Sequence, residues 1–195
     1  MAVAAMPAAG DAELAAGLAR DLDAGFEPFV IAYRSCVVRF VARMLGESGR
    51  AEDVAQDVFV RAYRALQSYP PERRAALRLR SWTYAIAHNL TRNAVRDAPP
   101  RTAQLTYEDG AERGVVIDPE PGPEALTARA ETWHAVQMAI GALSPRLRPA
   151  FVMRYLDDLS YDEIAAALQQ PVGTVKAAAH RGALAVRSHL ENEHV

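Results

Sequence analysis

Apolar residues recur at three- and four-residue steps through most of this chain, the spacing of helices that bury one side. From Phe26 onward, Phe29, Val30, Tyr33, Val37, Phe40, Val41, Met44 and Leu45 draw one such stripe, and Gly46 to Gly49 reads as a turn. A second helix, Ala51 to Leu66, puts Val54, Val58, Phe59, Ala62, Tyr63 and Leu66 on its apolar side. Pro70 and Pro71 open an irregular loop, and helical spacing resumes near Ser81. There Trp82, Ala85, Ile86 and Leu90 form the core side, while Tyr84, His88, Arg92 and Arg96 step by four along the outer side. From Asp97 to Glu124 the period is lost among Pro99, Pro100, Pro119, Pro121 and Pro123, and acids predominate. Leu126, Ala130, Trp133, Ile140 and Leu143 mark the next helix. Ser144-Pro145 is expected to cap and start another, carrying Phe151, Val152, Tyr155 and Leu156, with Pro149 either delaying that start or kinking its first turn. Residues 1 to about 24 are alanine-rich and are expected to be a loosely ordered tail, with room for a short helix around Ala12 to Leu22.

The stretch from Leu159 to Arg187 carries the densest local signals. Ser160 followed by Glu163 is a capping box, in which hydroxyl and carboxylate each accept from the other residue's amide. Ile164, Ala165 and Leu168 then give a short apolar stripe, Gln169 to Gly173 breaks it, and Pro171 suits the entry to a new helix. Val175, Ala179, Gly182, Ala183 and Val186 carry the second stripe. Two short helices, a tight turn and small residues at the crossing make a helix-turn-helix, whose second helix enters a DNA major groove. The same spacing also suits an αα-hairpin that only packs.

Composition narrows the function classes. The formal net charge of -2 rules out a uniformly basic coat, so a nucleic-acid surface must be local. One cysteine, Cys36, excludes an internal disulfide and a cysteine-rich zinc site. Phe29 to Leu45, the most apolar run, is interrupted by Arg34, Arg39 and Arg43 and is too polar to span a membrane. No basic residue precedes Arg20, which argues against a secretory signal; a cytoplasmic protein without membrane insertion is expected. There is no phosphate-cradling glycine loop, no paired-histidine metal spacing and no nucleophile motif around Cys36, so neither catalysis nor a cofactor or metal is expected.

Two local patches qualify as binding surfaces. Asp53, Gln56 and Asp57 stand at i, i+3 and i+4, an acidic-amide patch on one helix side; a merely solvated face has the same pattern. From Arg73 to Arg96 there are six arginines and no acid. Arginines supply phosphate contacts, exposed aromatic faces stack on bases that have left the duplex, and Asn89 and Asn93 could read base edges. A solvated basic helix with a structural Trp82 is the plainer reading.

The order of these parts resembles the extracytoplasmic-function (ECF) sigma factors, bacterial transcription initiation factors. Three segments carry the resemblance: Ala51-Glu-Asp-Val-Ala-Gln-Asp-Val-Phe59, Ser81-Trp-Thr-Tyr-Ala-Ile-Ala-His-Asn89 running on to Arg96, and Leu143-Ser-Pro through Leu159-Ser-Tyr-Asp-Glu-Ile-Ala to Gly173-Thr-Val-Lys176. It implies an all-α fold of two small helical domains: a tail over 1–25, sigma domain 2 over 26–97, an acidic linker over 98–124 and sigma domain 4 over 125–195. It further implies that Asp53, Gln56 and Asp57 dock on core RNA polymerase, with clamp and flap as the contacted parts. Arg73, Arg74, Arg78, Arg80, Trp82, Tyr84, His88, Asn89, Arg92, Asn93 and Arg96 would capture the opened −10 element of promoter DNA. Thr174, Lys176, His180 and Arg181 would face the −35 duplex, and an anti-sigma factor is an expected partner. The chain departs from the family where Ala177 and Ala178 replace a common Ser-Arg, where Gln169 replaces a helix-ending glycine, and at Leu79, Thr83 and Asn93. The competing reading is a helix-turn-helix regulator that acts without polymerase, for which neither the Asp53 patch nor the arginine window is needed.

Overall fold

The computed structural model describes residues 10–46, 50–97 and 123–193, the side chains of 123–131 and 193 aside. The expected acidic linker lies outside the described residues up to position 122, as do the first nine residues of the chain. Every described element is helical: α1 (Asp11–Arg20), α2 (Leu22–Leu45), α3 (Ala51–Gln67), α4 (Pro71–Ala75), α5 (Leu79–Arg96), α6 (Pro123–Ala142), α7 (Arg148–Phe151), a π-helical segment (Val152–Leu156), α8 (Tyr161–Leu168) and α9 (Val172–Glu193).

Helices α1 to α5 form the first unit. The Asp21 side chain accepts from the Ala24 amide to start α2, and Gly46, at φ 71°, closes it in the left-handed region that glycine enters without strain. Phe29 lies at its centre, with ring centroids 5.0 Å from Tyr33 and 5.9 Å from Phe59, and Phe40 meets Tyr84 edge-on at 5.1 Å. The alanine-rich stretch read as a loose tail is, from Asp11, an ordered helix. Ala15 and Leu18 are fully buried, and burying a leucine is worth about 2 kcal/mol. A Cβ on Gly25 would lie 2.7 Å from the Gly17 carbonyl carbon, so α1 and α2 cross with their backbones in contact. The low polarity of this stretch reflects a packing face. The Pro70-Pro71 loop also differs from expectation, because Pro71 starts the short helix α4.

Helices α6 to α9 form the second unit. Its second helix starts at Arg148, with Ser144 O accepting from the Leu147 and Arg148 amides, so Pro149 falls in a first turn where its missing N–H costs nothing. The chain then widens into the π-helical segment, with the Asp157 amide donating to Val152 O and the Leu159 amide to Met153 O. Asp158 follows at φ 52°. The capping box is present in both directions: Ser160 Oγ accepts from the Glu163 amide at 3.2 Å, and a Glu163 carboxylate oxygen accepts from the Ser160 amide at 2.8 Å. Gln169 ends α8 in the left-handed region (φ 54°), a conformation that costs a non-glycine residue about 1 kcal/mol. The crossing of α9 on α7 is closest at Gly182, where a Cβ would meet Phe151 Cβ at 2.9 Å.

The two units touch. Helix α5 runs against α8, and α2 against α6 and the π-helical segment.

Candidate nucleic-acid and protein-docking surfaces

Helix α3 presents Asp53, Gln56 and Asp57 to solvent, while Val54, Ala55, Val58 and Phe59 are buried. The same outward face continues to Val60, an apolar side chain 47% exposed one turn beyond. Carboxylates and one exposed valine thus share this face of the helix. Partner surfaces commonly pair such apolar contact with a charged rim.

The arginine window divides into three kinds of site. Arg73, Arg78, Asn89, Arg92 and Arg96 are exposed, Arg73 with its guanidinium stacked 3.7 Å from the Tyr69 ring centroid and Arg96 paired with Asp97 at 2.9 Å. Arg74, half-buried, donates to Leu66 O, Tyr69 O and Leu18 O, which ties the ends of α3 and α1 to α4. Trp82, His88 and Asn93 are half-buried, Trp82 between Phe29 and Tyr69 at 6.4 Å from each. Burial, reinforced by the charge of Arg92, holds the His88 imidazole below its ordinary value, so it is neutral near pH 7.

Arg80 and Tyr84 differ from the sequence expectation. The four-residue spacing puts Tyr84 on the outer stripe, yet it is 1% exposed, and Arg80 is 6% exposed. Helical periodicity separates two sides of α5, and at its N-terminal end both are covered, the inner one by α2 and α3 and the outer one by α8. The Arg80 guanidinium donates to Asp157 O at 2.5 Å and lies 3.8 Å from a Glu163 carboxylate oxygen. Burial, and next the charge of Asp157, raises the Tyr84 hydroxyl far above its ordinary value, so it is never ionised at working pH.

Around Asp157 the second unit meets the first. Arg43 of α2 donates to Asp157 Oδ1 at 2.8 Å, with side chains only 9% and 2% exposed. Arg43 also lies 5.9 Å from the Trp133 ring centroid, and Arg148 donates to Met44 O at 3.0 Å. Burial pushes the Asp157 carboxyl above its usual range, and Arg43 is the strongest opposing influence.

On α9, Thr174, Lys176, His180 and Arg181 are all exposed, as the helix-turn-helix reading expects. Ala177 is exposed on the same face, whereas Ala178 is buried with Ala150 and Ala179. Among the described residues, no group of three or more His, Cys, Asp or Glu side chains could hold a metal ion. No described helix is long and apolar enough to cross a membrane.

Known proteins place this geometry. The Sigma-70 region 2 profile matches residues 29–99 and the Sigma-70, region 4 profile residues 133–186. The ECF RNA polymerase sigma factor SigW of Bacillus subtilis is 34% identical over 177 residues, 88% of this chain and 91% of that protein. The chain belongs to the ECF RNA polymerase sigma factors. The ECF RNA polymerase sigma-E factor of Escherichia coli is 33% identical over 85% of this chain and 86% of its own length. Among solved structures, CnrH in complex with the cytosolic domain of CnrY has the same fold, with a TM-score of 0.66 and 23% identity over 94% of this chain and 98% of that one. RpoE of Bartonella quintana, in complex with the anti-sigma factor NepR, gives 0.65 and 18% over 85% and 96%. This sigma factor is thus a transcription initiation factor, not an enzyme.

Two residues that matter to its architecture escaped the sequence reading. Asp11 accepts from the Arg80 amide at 3.1 Å and from the Tyr33 hydroxyl, capping α5 from α1. Asp157 joins the two units. Asp11 had a faint signal, an acid opening a Leu14-Leu18 stripe; Asp157 had none, because its partners are far away in sequence.

Proposed function

We propose that this sigma factor binds core RNA polymerase through the Asp53, Gln56, Asp57 face of α3, with Val60 as its apolar neighbour. Residues 26–97 act as the core-docking and −10 domain, 98–124 as the linker and 125–195 as the −35 domain. Arg73, Arg78, Asn89, Arg92, Asn93 and Arg96 supply phosphate and base-edge contacts to the opened −10 strand, with His88 and Trp82 beside them, and Arg74 holds α4 in place. Arg80 and Tyr84 join that surface when α8 moves away. Thr174, Lys176, His180 and Arg181 meet the −35 duplex. Since Ala177 offers no hydrogen bond and Ala178 is buried, that contact rests chiefly on phosphates and shape. The protein works in the cytoplasm, with an anti-sigma factor as the second partner; of the proteins that share its fold, RpoE is seen with the anti-sigma factor NepR and CnrH with the cytosolic domain of CnrY.

The observation that carries this reading is the coexistence of two separate exposed faces, acidic on α3 and basic on α5. A helix-turn-helix regulator acting without polymerase needs neither. A reciprocal pair of variants tests it. Asp53→Ala with Asp57→Ala should weaken core binding about tenfold or more, the scale of two charged interface contacts, with promoter melting intact at saturation. Arg92→Ala with Arg96→Ala should leave core binding unchanged and impair open-complex formation. Unchanged core affinity in the first, or normal melting in the second, would sink that assignment.

A further inference from the structure

The short helix α4 and the turn after it carry two exposed arginines, Arg73 and Arg78, yet apolar packing does little to fix them. No residue of α4 is buried, and from Ala76 to Arg78 only Leu77 is partly covered. A helix of a single turn does not hold its own shape in water. Its place must come from contacts that neighbouring elements make with it, and these converge on α1.

At one end, Arg74 Nη1 donates to Leu18 O of α1 at 3.3 Å, while its Nε donates to Leu66 O and Tyr69 O at the end of α3. At the other end, α5 starts without a cap of its own. Its N-cap residue is Arg78, whose side chain has no acceptor to offer, and its first turn holds no acid. Leu79, Arg80 and Ser81 are all buried, so solvent is largely kept from the amides that open this helix. Asp11, the first residue of α1, fills the role from outside. Its Oδ2 accepts from the Arg80 amide at 3.1 Å, and a carboxylate suits the positive end of a helix. Its Oδ1 accepts from the Tyr33 hydroxyl. Burial, and next the Asp11 carboxylate, pushes that hydroxyl far above its ordinary value, so it remains a donor at working pH. Between the two ends α1 is fixed on α2 by the buried Ala15 and Leu18 and by the backbone contact of Gly17 with Gly25.

We propose that α1 is a brace that sets the position of residues 71–78 for promoter capture, and that Asp11 is a positioning residue for −10 recognition. Arg73 adjoins the anchor Arg74, and Arg78 stands two positions before the anchored Arg80 amide, so each exposed arginine is carried by one end of the brace. Asp11 needs no contact with DNA. It fixes where the two guanidinium groups meet the strand, and phosphate contacts of this kind set the register in which bases are presented. The positioning role rests on the reading above that Arg73 and Arg78 face the opened −10 strand; the brace itself does not.

The test compares Asp11→Ala, which removes both acceptors, with Asp11→Asn, which keeps one for the Arg80 amide. Hydrogen exchange on the free, full chain should speed up about tenfold over residues 72–80 in Asp11→Ala, the usual scale of a lost helix cap. Residues 54–66 of α3 should exchange as in the wild type, and Asp11→Asn should match the wild type throughout. Holoenzyme assembled from bacterial core RNA polymerase and the full chain is then offered duplex DNA randomised at both promoter elements, and the bound DNA is sequenced. With Asp11→Ala the preference for the selected −10 sequence should fall about fivefold or more, the scale of one base position. The −35 preference should hold, and Asp11→Asn should restore both. Unchanged exchange would overturn the brace. Faster exchange with an unaltered −10 preference, or an equal loss at −35, would refute the positioning role. If Asp11→Ala loses far-UV helicity, Arg74→Gln, which cuts the other anchor, decides by the same two readouts. A wild-type holoenzyme that selects no −10 sequence would overturn the proposed function and the positioning role together, while exchange still decides the brace.

Discussion

Gly182 offers a substitution whose effect can be worked from the structure. Glycine to alanine in a helix interior ordinarily adds up to about 1 kcal/mol of stability. At Gly182 the new methyl would meet Phe151 Cβ at 2.9 Å, roughly 1 Å inside comfortable carbon–carbon contact. Phe151 Cβ is fixed to the backbone of α7, so rotation about the side chain gives no relief, and α9 must move off α7. Overpacking of this kind costs about 1–3 kcal/mol, leaving a net loss of up to about 2 kcal/mol. In a unit of some 70 residues, 1 kcal/mol moves Tm by about 4–8 °C, so Gly182→Ala should lower the melting of the C-terminal unit by up to about 16 °C. Gly141→Ala in α6 is the control, because nothing lies within 4 Å of its added methyl; it should leave Tm unchanged or raise it. Thermal unfolding followed by circular dichroism on the two variants reads the difference. Since α9 also carries Thr174, Lys176, His180 and Arg181, the Gly182 variant should bind −35 duplex DNA more weakly. Equal stabilisation by both substitutions would refute the close crossing of α7 and α9.

Gln169→Gly should stabilise by about 1 kcal/mol by relieving the left-handed residue, seen as a higher denaturation midpoint at unchanged slope; a lower midpoint would mean that the glutamine side chain has a role of its own. His88 is held neutral, its pKa below the ordinary 6.5. Its contribution to stability is therefore full above about pH 6.5 and lost as pH falls through its lowered folded value. Denaturation midpoints from pH 7.5 to 5 should decline less steeply in His88→Gln than in the wild type; parallel curves would contradict the burial of that imidazole.

The contrast between Ser160 and Asp157 shows what was legible in the chain. The Ser160–Glu163 box, the α3 patch and the exposed face of α9 depend on neighbours within one or two helical turns, and their spacing is written in the sequence. The burial of Tyr84 is not legible in this way, because helical periodicity separates two sides without saying which one a second unit will cover. Ala15 and Leu18 were hidden for a related reason: alanine-rich, weakly patterned sequence suits both a loose tail and a helix that packs at backbone distance. Arg43 and Asp157, 114 positions apart, have meaning only once the fold brings them together. The Arg73 to Arg96 window is plainly basic in sequence, but its arginines divide into exposed, structural and occluded ones only in three dimensions.

Binding of the purified chain to core RNA polymerase in the absence of DNA, measured beside its binding to duplex DNA alone, tests the account most directly. Tight association with core and weak association with free duplex is the predicted outcome, as expected of a protein with a net charge of -2 and only local basic surfaces. Specific duplex binding without affinity for core would contradict it, and would leave the α3 face without a partner.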